Sequence, residues 1–126
     1  MTQAATTTLS PDPDVIAPDG SEVRILLALA GGSMAHFQLQ PGQTSRTVRH
    51  RSVEEIWYIL SGTGEMWRSS AGTVPLSRGT CLTIPAGTSF QFRCTGDEPL
   101  AAVGVTMPPW PGDAEAEAVE GRWPAG

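Results

Sequence analysis

The chain has 126 residues, a formal net charge of −5, 40% hydrophobic and 17% charged residues. This length suffices for one domain with a buried core, and the composition is that of a globular protein, not a disordered or fibrous one. Its 8 basic residues are all arginines and lie scattered along the chain. Nucleic-acid binding needs clustered positive charge, so we expect no nucleic-acid partner. The absence of lysine excludes Schiff-base catalysis.

The first 20 residues are polar and contain three prolines, a pattern that predicts an extended arm over residues 1–20. This segment lacks the basic stretch and apolar run of a secretory signal. The longest apolar run, residues 25–30, is too short to cross a bilayer. We therefore expect a cytoplasmic protein with no membrane partner, in which Cys81 and Cys94 remain reduced.

Residues 21–106 alternate between short apolar stretches and turns rich in glycine and proline, and no window shows the apolar stripe of a helix. The spacing of about ten residues is typical of an antiparallel barrel or jelly roll. The fold class is therefore all-β. Eight strands are predicted, at residues 23–29, 34–39, 47–50, 56–60, 65–68, 81–84, 90–94 and 100–106.

Residues 107–126 form a tail of different character, proline-rich at first and then acidic and alanine-rich. Residues 113–119 predict one short helix. Trp110 and Trp123 stand in this otherwise polar segment. Because exposed tryptophan gains nothing from packing, we expect the tail to dock on the barrel or on a partner subunit.

Two segments carry a regular spacing of glycine, proline, histidine and glutamate. The first contains Gly42, Val48, His50, Glu55 and Gly62. On an extended strand Val48 and His50 share one face, because successive side chains alternate. If His50 faces the interior, so does the hydrocarbon of Val48.

The second segment contains Gly79, Pro85, Gly87, Phe90 and Cys94. Together the two segments resemble the paired motifs of the cupin superfamily in the spacing of every glycine and proline. The resemblance implies a cupin-type double-stranded β-helix, or jelly-roll barrel, that is often dimeric and has an interior pocket. It also implies histidine ligands at the positions held here by Val48 and Phe90, and an asparagine at that of Cys94.

Only His50 and Glu55 match the metal ligands of the family, which resemble a set of three histidines and one glutamate. Transition metals bound by imidazole and carboxylate usually need at least three protein ligands. We therefore expect no tightly held metal cofactor. The alternative is that His36 or Cys94 restores a third ligand, and the sequence leaves the face of His36 open because Phe37 and Leu39 are equally suited to point inward.

The residues predicted to line a ligand pocket share strand faces with the matched positions. They are Val48, His50, Glu55, Trp57, Phe90 and Phe92. Burial without a metal would raise the pKa of Glu55, and a His50–Glu55 pair can transfer protons as the catalytic groups of an isomerase or cyclase. A purely structural ion pair is the alternative interpretation.

The sequence thus favours a small-molecule-binding cupin that acts on, or senses, an apolar or aromatic metabolite, and we expect a homodimer. It leaves open whether the protein is an enzyme. One alternative is a metal-dependent oxygenase or isomerase that uses His50, Glu55 and a third ligand. Another is a non-catalytic subunit that dimerises through a strand edge and the tail.

Overall fold

A computed structural model describes residues 2–126 and contains two antiparallel β-sheets. The strand bounds are β1 Val15–Ile16, β2 Glu22–Leu29, β3 Gly32–Leu39, β4 Val48–His50, β5 Glu54–Ser61, β6 Gly64–Arg68, β7 Gly72–Leu76, β8 Cys81–Ile84, β9 Ser89–Cys94, β10 Leu100–Met107 and β11 Ala116–Ala118. The six-stranded sheet has the order β1-β2-β3-β10-β5-β8, and the five-stranded sheet has the order β11-β4-β9-β6-β7. The predicted all-β jelly-roll class is confirmed.

The core lies between the two sheets because inward and outward side chains alternate along each strand. In β5, Glu55, Trp57 and Ile59 are buried, whereas Ile56 and Tyr58 are exposed on the outer face. Facing strands of the other sheet contribute Met66, Phe90 and Phe92 to the same apolar cluster. The inward face of β5 therefore carries the only polar group of this run, Glu55, into the interior.

The glycines of the two motifs occupy positions where the backbone requires them. Gly62, which closes the first motif, has a φ of +81°, and a Cβ at this position would lie 2.4 Å from the carbonyl oxygen of Pro99. No other residue type fits such a turn without moving the chain. The motif spacing is therefore set by the turns of the barrel, independently of the ligand positions.

Strand β7 is not among the predicted strands, because Gly72 and Pro75 interrupt the apolar pattern. The strand forms nevertheless, because β7 lies at the edge of its sheet, where a proline that lacks an N–H is tolerated.

The helix predicted over residues 113–119 is wrong beyond its first turn. A 3₁₀ turn spans Asp113–Glu115, and Ala116–Ala118 then form β11, which pairs with β4. The Glu115 carboxylate accepts hydrogen bonds from the backbone N–H groups of Ser52 and Val53. These bonds, and the free edge of β4, satisfy the backbone better than a short isolated helix would.

The end of the tail is fixed to the barrel of the same chain by the side chain of Gln91. Its Nε2 donates to the carbonyl oxygens of Ser45 and Trp123, both at 2.8 Å. Its Oε1 accepts from the backbone N–H groups of Arg122 and Trp123, both at 2.9 Å. In addition, the guanidinium of Arg93 lies 4.1 Å from the centre of the Trp123 ring.

The N-terminal arm runs along the outer face of the six-stranded sheet. The Arg24 guanidinium donates to the carbonyl oxygens of Ser10 and Pro11, and β1 then pairs with β2. Met1, the first residue of the predicted arm, lies outside the described residues. Within residues 2–126, no helix has the length and apolar character needed to cross a membrane.

Candidate ligand cavity

A cavity of about 280 Å³ lies inside the barrel, close to the lower end of the range of about 300–1,000 Å³ that ligand pockets span. It opens to solvent beside the first three strands, where the lining residues Val15, Ile25 and Met34 are exposed. Five of the six predicted pocket residues line it. They are Val48, His50, Glu55, Trp57 and Phe90.

Phe92, the sixth predicted pocket residue, is not part of the lining. Its ring packs edge-on against Trp57 with the centroids 5.1 Å apart, and it is almost fully buried in the core. Phe92 therefore supports the cavity wall from behind.

Val48 and Phe90 face each other as partners in the pairing of β4 with β9. The Phe90 ring lies edge-on to His50, with the ring centres 5.2 Å apart. Hydrocarbon thus fills the two positions at which the resemblance implies histidine. The surroundings of His50 are correspondingly apolar.

His50 and Glu55 form the polar centre of the cavity. The Nδ1 of His50 lies 3.2 Å from Oε2 of Glu55, and the two side chains are only 6% and 3% exposed. The contact lacks hydrogen-bond geometry, so His50 Nδ1 has no hydrogen-bond partner within residues 2–126. Glu55 accepts instead a hydrogen bond of 3.2 Å from the indole N–H of Trp57.

The surroundings of this pair displace both protonation equilibria. Burial lowers the pKa of His50 to about 4, although the negative charge of Glu115 opposes the change. Burial raises the pKa of Glu55 to about 7, against the Trp57 hydrogen bond and with a further contribution from the charge of Asp19. Near neutral pH the histidine is therefore neutral, and the contact is not an ion pair. Both protonation states of Glu55 are populated.

Two aromatic residues in the lining were not predicted. Phe37 stacks on Trp57 with the ring centres 4.9 Å apart and an interplanar angle of 11°. Gly104 makes room for this stack, since a Cβ there would lie 2.8 Å from Phe37 and 2.9 Å from Trp57. Trp110 reaches the cavity from the tail, and its ring centre lies 4.9 Å from that of His50.

Two further carboxyl groups in the lining were also missed. Asp19 is buried just before β2 and accepts hydrogen bonds from the backbone N–H and the hydroxyl of Ser21. Burial raises the pKa of Asp19, and the bonds from Ser21 oppose the change. Asp113 lines the cavity from the 3₁₀ turn. No strand periodicity marks either residue, because both lie outside the predicted strands.

The family model described as a cupin domain matches residues 35–106, more than half of the chain. The chain belongs to the cupin family. No curated protein matches it.

Several solved cupin-like structures share this architecture. An uncharacterized conserved protein with a double-stranded β-helix domain from Klebsiella pneumoniae has a TM-score of 0.74 and 18% identity, over 94% of this chain and 100% of the other. A predicted oxalate decarboxylase from Thermotoga maritima has a TM-score of 0.68 and 23% identity, over 80% and 98%. KdgF from Halomonas sp. has a TM-score of 0.69 and 15% identity, over 82% and 94%. At these identities the likeness extends to the cupin fold alone.

The donor atoms of this cupin do not fit a resident metal ion. His36, the proposed third ligand, lies on the outer face of β3, opposite Phe37, and pairs with Arg24 and Val103 of the flanking strands. Cys94 lies outside the cavity lining, and its thiol donates to the carbonyl oxygen of Glu98 at 3.2 Å. Across residues 2–126 no three His, Cys, Asp or Glu side chains converge as metal ligands would. The expectation that His36 or Cys94 restores the site is therefore not supported.

Proposed function

We propose that this cupin binds a small apolar or aromatic metabolite and acts on it, or senses it, without a tightly held metal ion. The observation that carries the proposal is the composition of the cavity around His50. A neutral imidazole and a carboxyl group of raised pKa stand beside Val48 and Phe90, so binding energy comes from apolar burial and orientation from two polar groups.

The chemistry that suits this pair is transfer of a proton within one substrate. As a carboxylate, Glu55 takes a proton from an acidic carbon, and as the acid it returns that proton to another atom of the same molecule. The substrate is isomerised or cyclised without a change in composition. Neutral His50, next to Glu55, accepts a hydrogen bond or a proton from the substrate. A positioned acid–base group typically accelerates such a step by about 10²- to 10⁴-fold.

Oxalate, the substrate named for one structural relative, is a poor candidate for this chain. It is a dianion, and the cavity lining contains three carboxyl-bearing side chains and no arginine. Like charges in a poorly solvated site repel strongly. We therefore propose a substrate without negative charge.

The test is binding of two neutral probes, indole and benzyl alcohol, followed by ligand-observed NMR and tryptophan fluorescence. Both probes should bind the wild-type protein and should be excluded by Ala35→Phe, which fills the cavity from β3. His50→Ala and Glu55→Gln should change affinity or orientation, whereas Glu54→Gln, at the exposed neighbouring position, is the matched control. Circular dichroism verifies that each variant is folded.

Binding that survives Ala35→Phe would place the probes elsewhere and contradict the proposal. Metal analysis tests its second half, on protein purified without a chelator or a metal-affinity tag. The proposal is wrong if about one equivalent of iron, manganese, zinc or nickel remains after dialysis.

A further inference from the structure

The charges around the cavity have one sign. The ionisable residues in its lining are Asp19, His50, Glu55 and Asp113, of which the histidine is neutral near pH 7 because burial lowers its pKa. Three acidic side chains thus face the cavity, and no arginine does. Within a poorly solvated site such an arrangement produces a negative potential that water does not screen.

The arginines closest in sequence to this wall are engaged elsewhere. Arg24 is turned toward the N-terminal arm, where it donates to Ser10 and Pro11. Arg46 acts electrostatically on Asp19, but its side chain is exposed and donates to the carbonyl oxygen of Pro18. Arg46 thus counters part of the Asp19 charge from the exposed side, whereas no arginine lines the cavity itself.

The remaining walls of the cavity are rich in aromatic rings. Phe37, Trp57, Phe90 and Trp110 all contribute to the lining. The faces of aromatic rings carry partial negative charge and attract ammonium groups, and trimethylammonium ligands are commonly bound in aromatic cages of this kind. Aromatic rings and carboxyl groups thus both favour a positively charged ligand.

We infer that the ligand of this cavity is a cation, namely an amine or quaternary ammonium group attached to an apolar or aromatic body. The inference rests on the proposed function and specifies its substrate class. An ammonium group in the cavity stabilises the ionised forms of Asp19 and Glu55, which burial otherwise disfavours. In the complex, Glu55 is then the proton acceptor of the His50–Glu55 pair.

The experiment compares three probes of similar size and different charge: benzyltrimethylammonium, benzyl alcohol and benzoate. Their dissociation constants are measured by calorimetry and by quenching of tryptophan fluorescence. Benzyltrimethylammonium should bind at least about tenfold more tightly than benzyl alcohol, which corresponds to about 1.4 kcal/mol. Benzoate should bind most weakly of the three.

Asp19→Asn tests the role of the acidic wall without replacing either residue of the His50–Glu55 pair. The asparagine retains an oxygen that can accept the bonds from Ser21, so the loop should keep its conformation. The variant should reduce the preference for the cation over benzyl alcohol at least threefold. Asp97→Asn, a change at an exposed aspartate outside the lining, is the matched control. Glu55→Gln provides a second variant if Asp19→Asn does not fold.

The pH dependence gives an independent readout, since benzyltrimethylammonium does not titrate. The groups that face Glu55 are His50 from β4, Asp19 from the segment before β2 and the Trp57 indole from its own strand, while Asp113 lines the cavity from the tail. Affinity for the cation should rise as the pH increases from 5 to 7, because Glu55 ionises as the pH approaches its pKa of about 7, and affinity for benzyl alcohol should not.

The outcomes separate this inference from the proposed function. Benzyl alcohol binding as tightly as the cation, or benzoate binding more tightly, would overturn the cationic ligand and leave the small-molecule cavity intact. If none of the three probes binds, the proposed function fails and the inference fails with it.

Discussion

At the scale of single residues, His50 and Glu55 influence folding in opposite directions. Burial lowers the pKa of His50 from 6.5 to about 4, so the imidazole of the unfolded chain is protonated at a higher pH than that of the folded chain. The folded protein therefore loses stability as the pH falls from 6.5 to 4. Burial raises the pKa of Glu55 from 4.5 to about 7, so the folded chain holds this proton longer. The stability associated with Glu55 is lost as the pH rises from 4.5 to 7. Where the two ranges overlap, the effects offset one another.

The Glu55→Gln variant separates the two contributions. Glutamine cannot ionise, so the variant should gain stability relative to the wild type as the pH rises from 4.5 to 7, and the difference should be constant above that. From the pKa change of Glu55 the gain is on the order of 3 kcal/mol. It is measured by urea unfolding at a series of pH values.

Glu54→Gln is the control for this series, because Glu54 is the exposed neighbour on the same strand. The opposing result is a difference in the free energy of unfolding, between the wild type and Glu55→Gln, that does not change with pH. Such a result would show that the Glu55 carboxyl group is not desolvated in the folded protein.

The residue pattern revealed part of the cavity and not the rest. Alternation along a strand was enough to place Val48 beside His50, but it left open whether His36 or the pair Phe37 and Leu39 faces inward on β3. The pair faces inward: Phe37 lines the cavity and Leu39 lies in the core. Asp19 lies outside every predicted strand and reaches the cavity only through tertiary folding, which no local pattern encodes.

At the scale of elements, the turns were easier to predict from the sequence than the strands at the edges of the sheets. The motif glycines mark turns with backbone requirements of their own, so the strands between them follow from the sequence. β1, β7 and β11 are all edge strands, and each exists because a neighbouring strand offers unpaired backbone groups. Such pairing depends on the partner, so the sequence of β11 alone suggested a helix.

Gln91 makes three of the hydrogen bonds that dock the end of the tail, beside two backbone bonds between Gly126 and Thr44. Gln91→Leu keeps the approximate size of the side chain and leaves four hydrogen-bonding groups of Ser45, Arg122 and Trp123 without their partner. Each unsatisfied buried group costs about 1–3 kcal/mol, so we expect the last residues of the tail to detach from the barrel.

Hydrogen exchange of the Arg122 and Trp123 amides measures this detachment, and their protection should be lost while that of the core strands persists. Gln40→Leu is the control, because the Gln40 side chain is exposed and donates to Glu22 at the barrel surface. Unchanged protection of both amides would show that other contacts hold the tail.

At the scale of the whole molecule, the outer face of the six-stranded sheet carries a group of exposed apolar side chains. We call this face the outer patch; its exposed members are Leu27, Met34, Ile56, Tyr58 and Leu60, each 37–50% exposed. Strand pairing makes it continuous, since Val105 of β10 lies between Met34 and Ile56. Exposed apolar patches of this kind commonly mark protein interfaces.

We propose a second copy of the chain as the partner of the outer patch, which would be the interface of the expected homodimer. Two copies with a net charge of −5 each repel one another, and contact through apolar side chains involves less repulsion than contact through charged surface. Two-fold pairing of one patch with itself is the commonest arrangement of homo-oligomers. The tail is not needed for this contact, because Gln91 fixes it to its own barrel.

Ile56→Asp tests this interface, because it places a charge at the centre of the outer patch without altering the inward face of β5. Burying an unpaired carboxylate costs several kcal/mol, so the dimer should weaken at least about a hundredfold. Light scattering coupled to size-exclusion chromatography measures the mass. Ile16→Asp, at an exposed position on the edge strand β1, should leave the dimer intact. If the wild type is a monomer, or if Ile56→Asp remains a dimer, the outer patch has a different role.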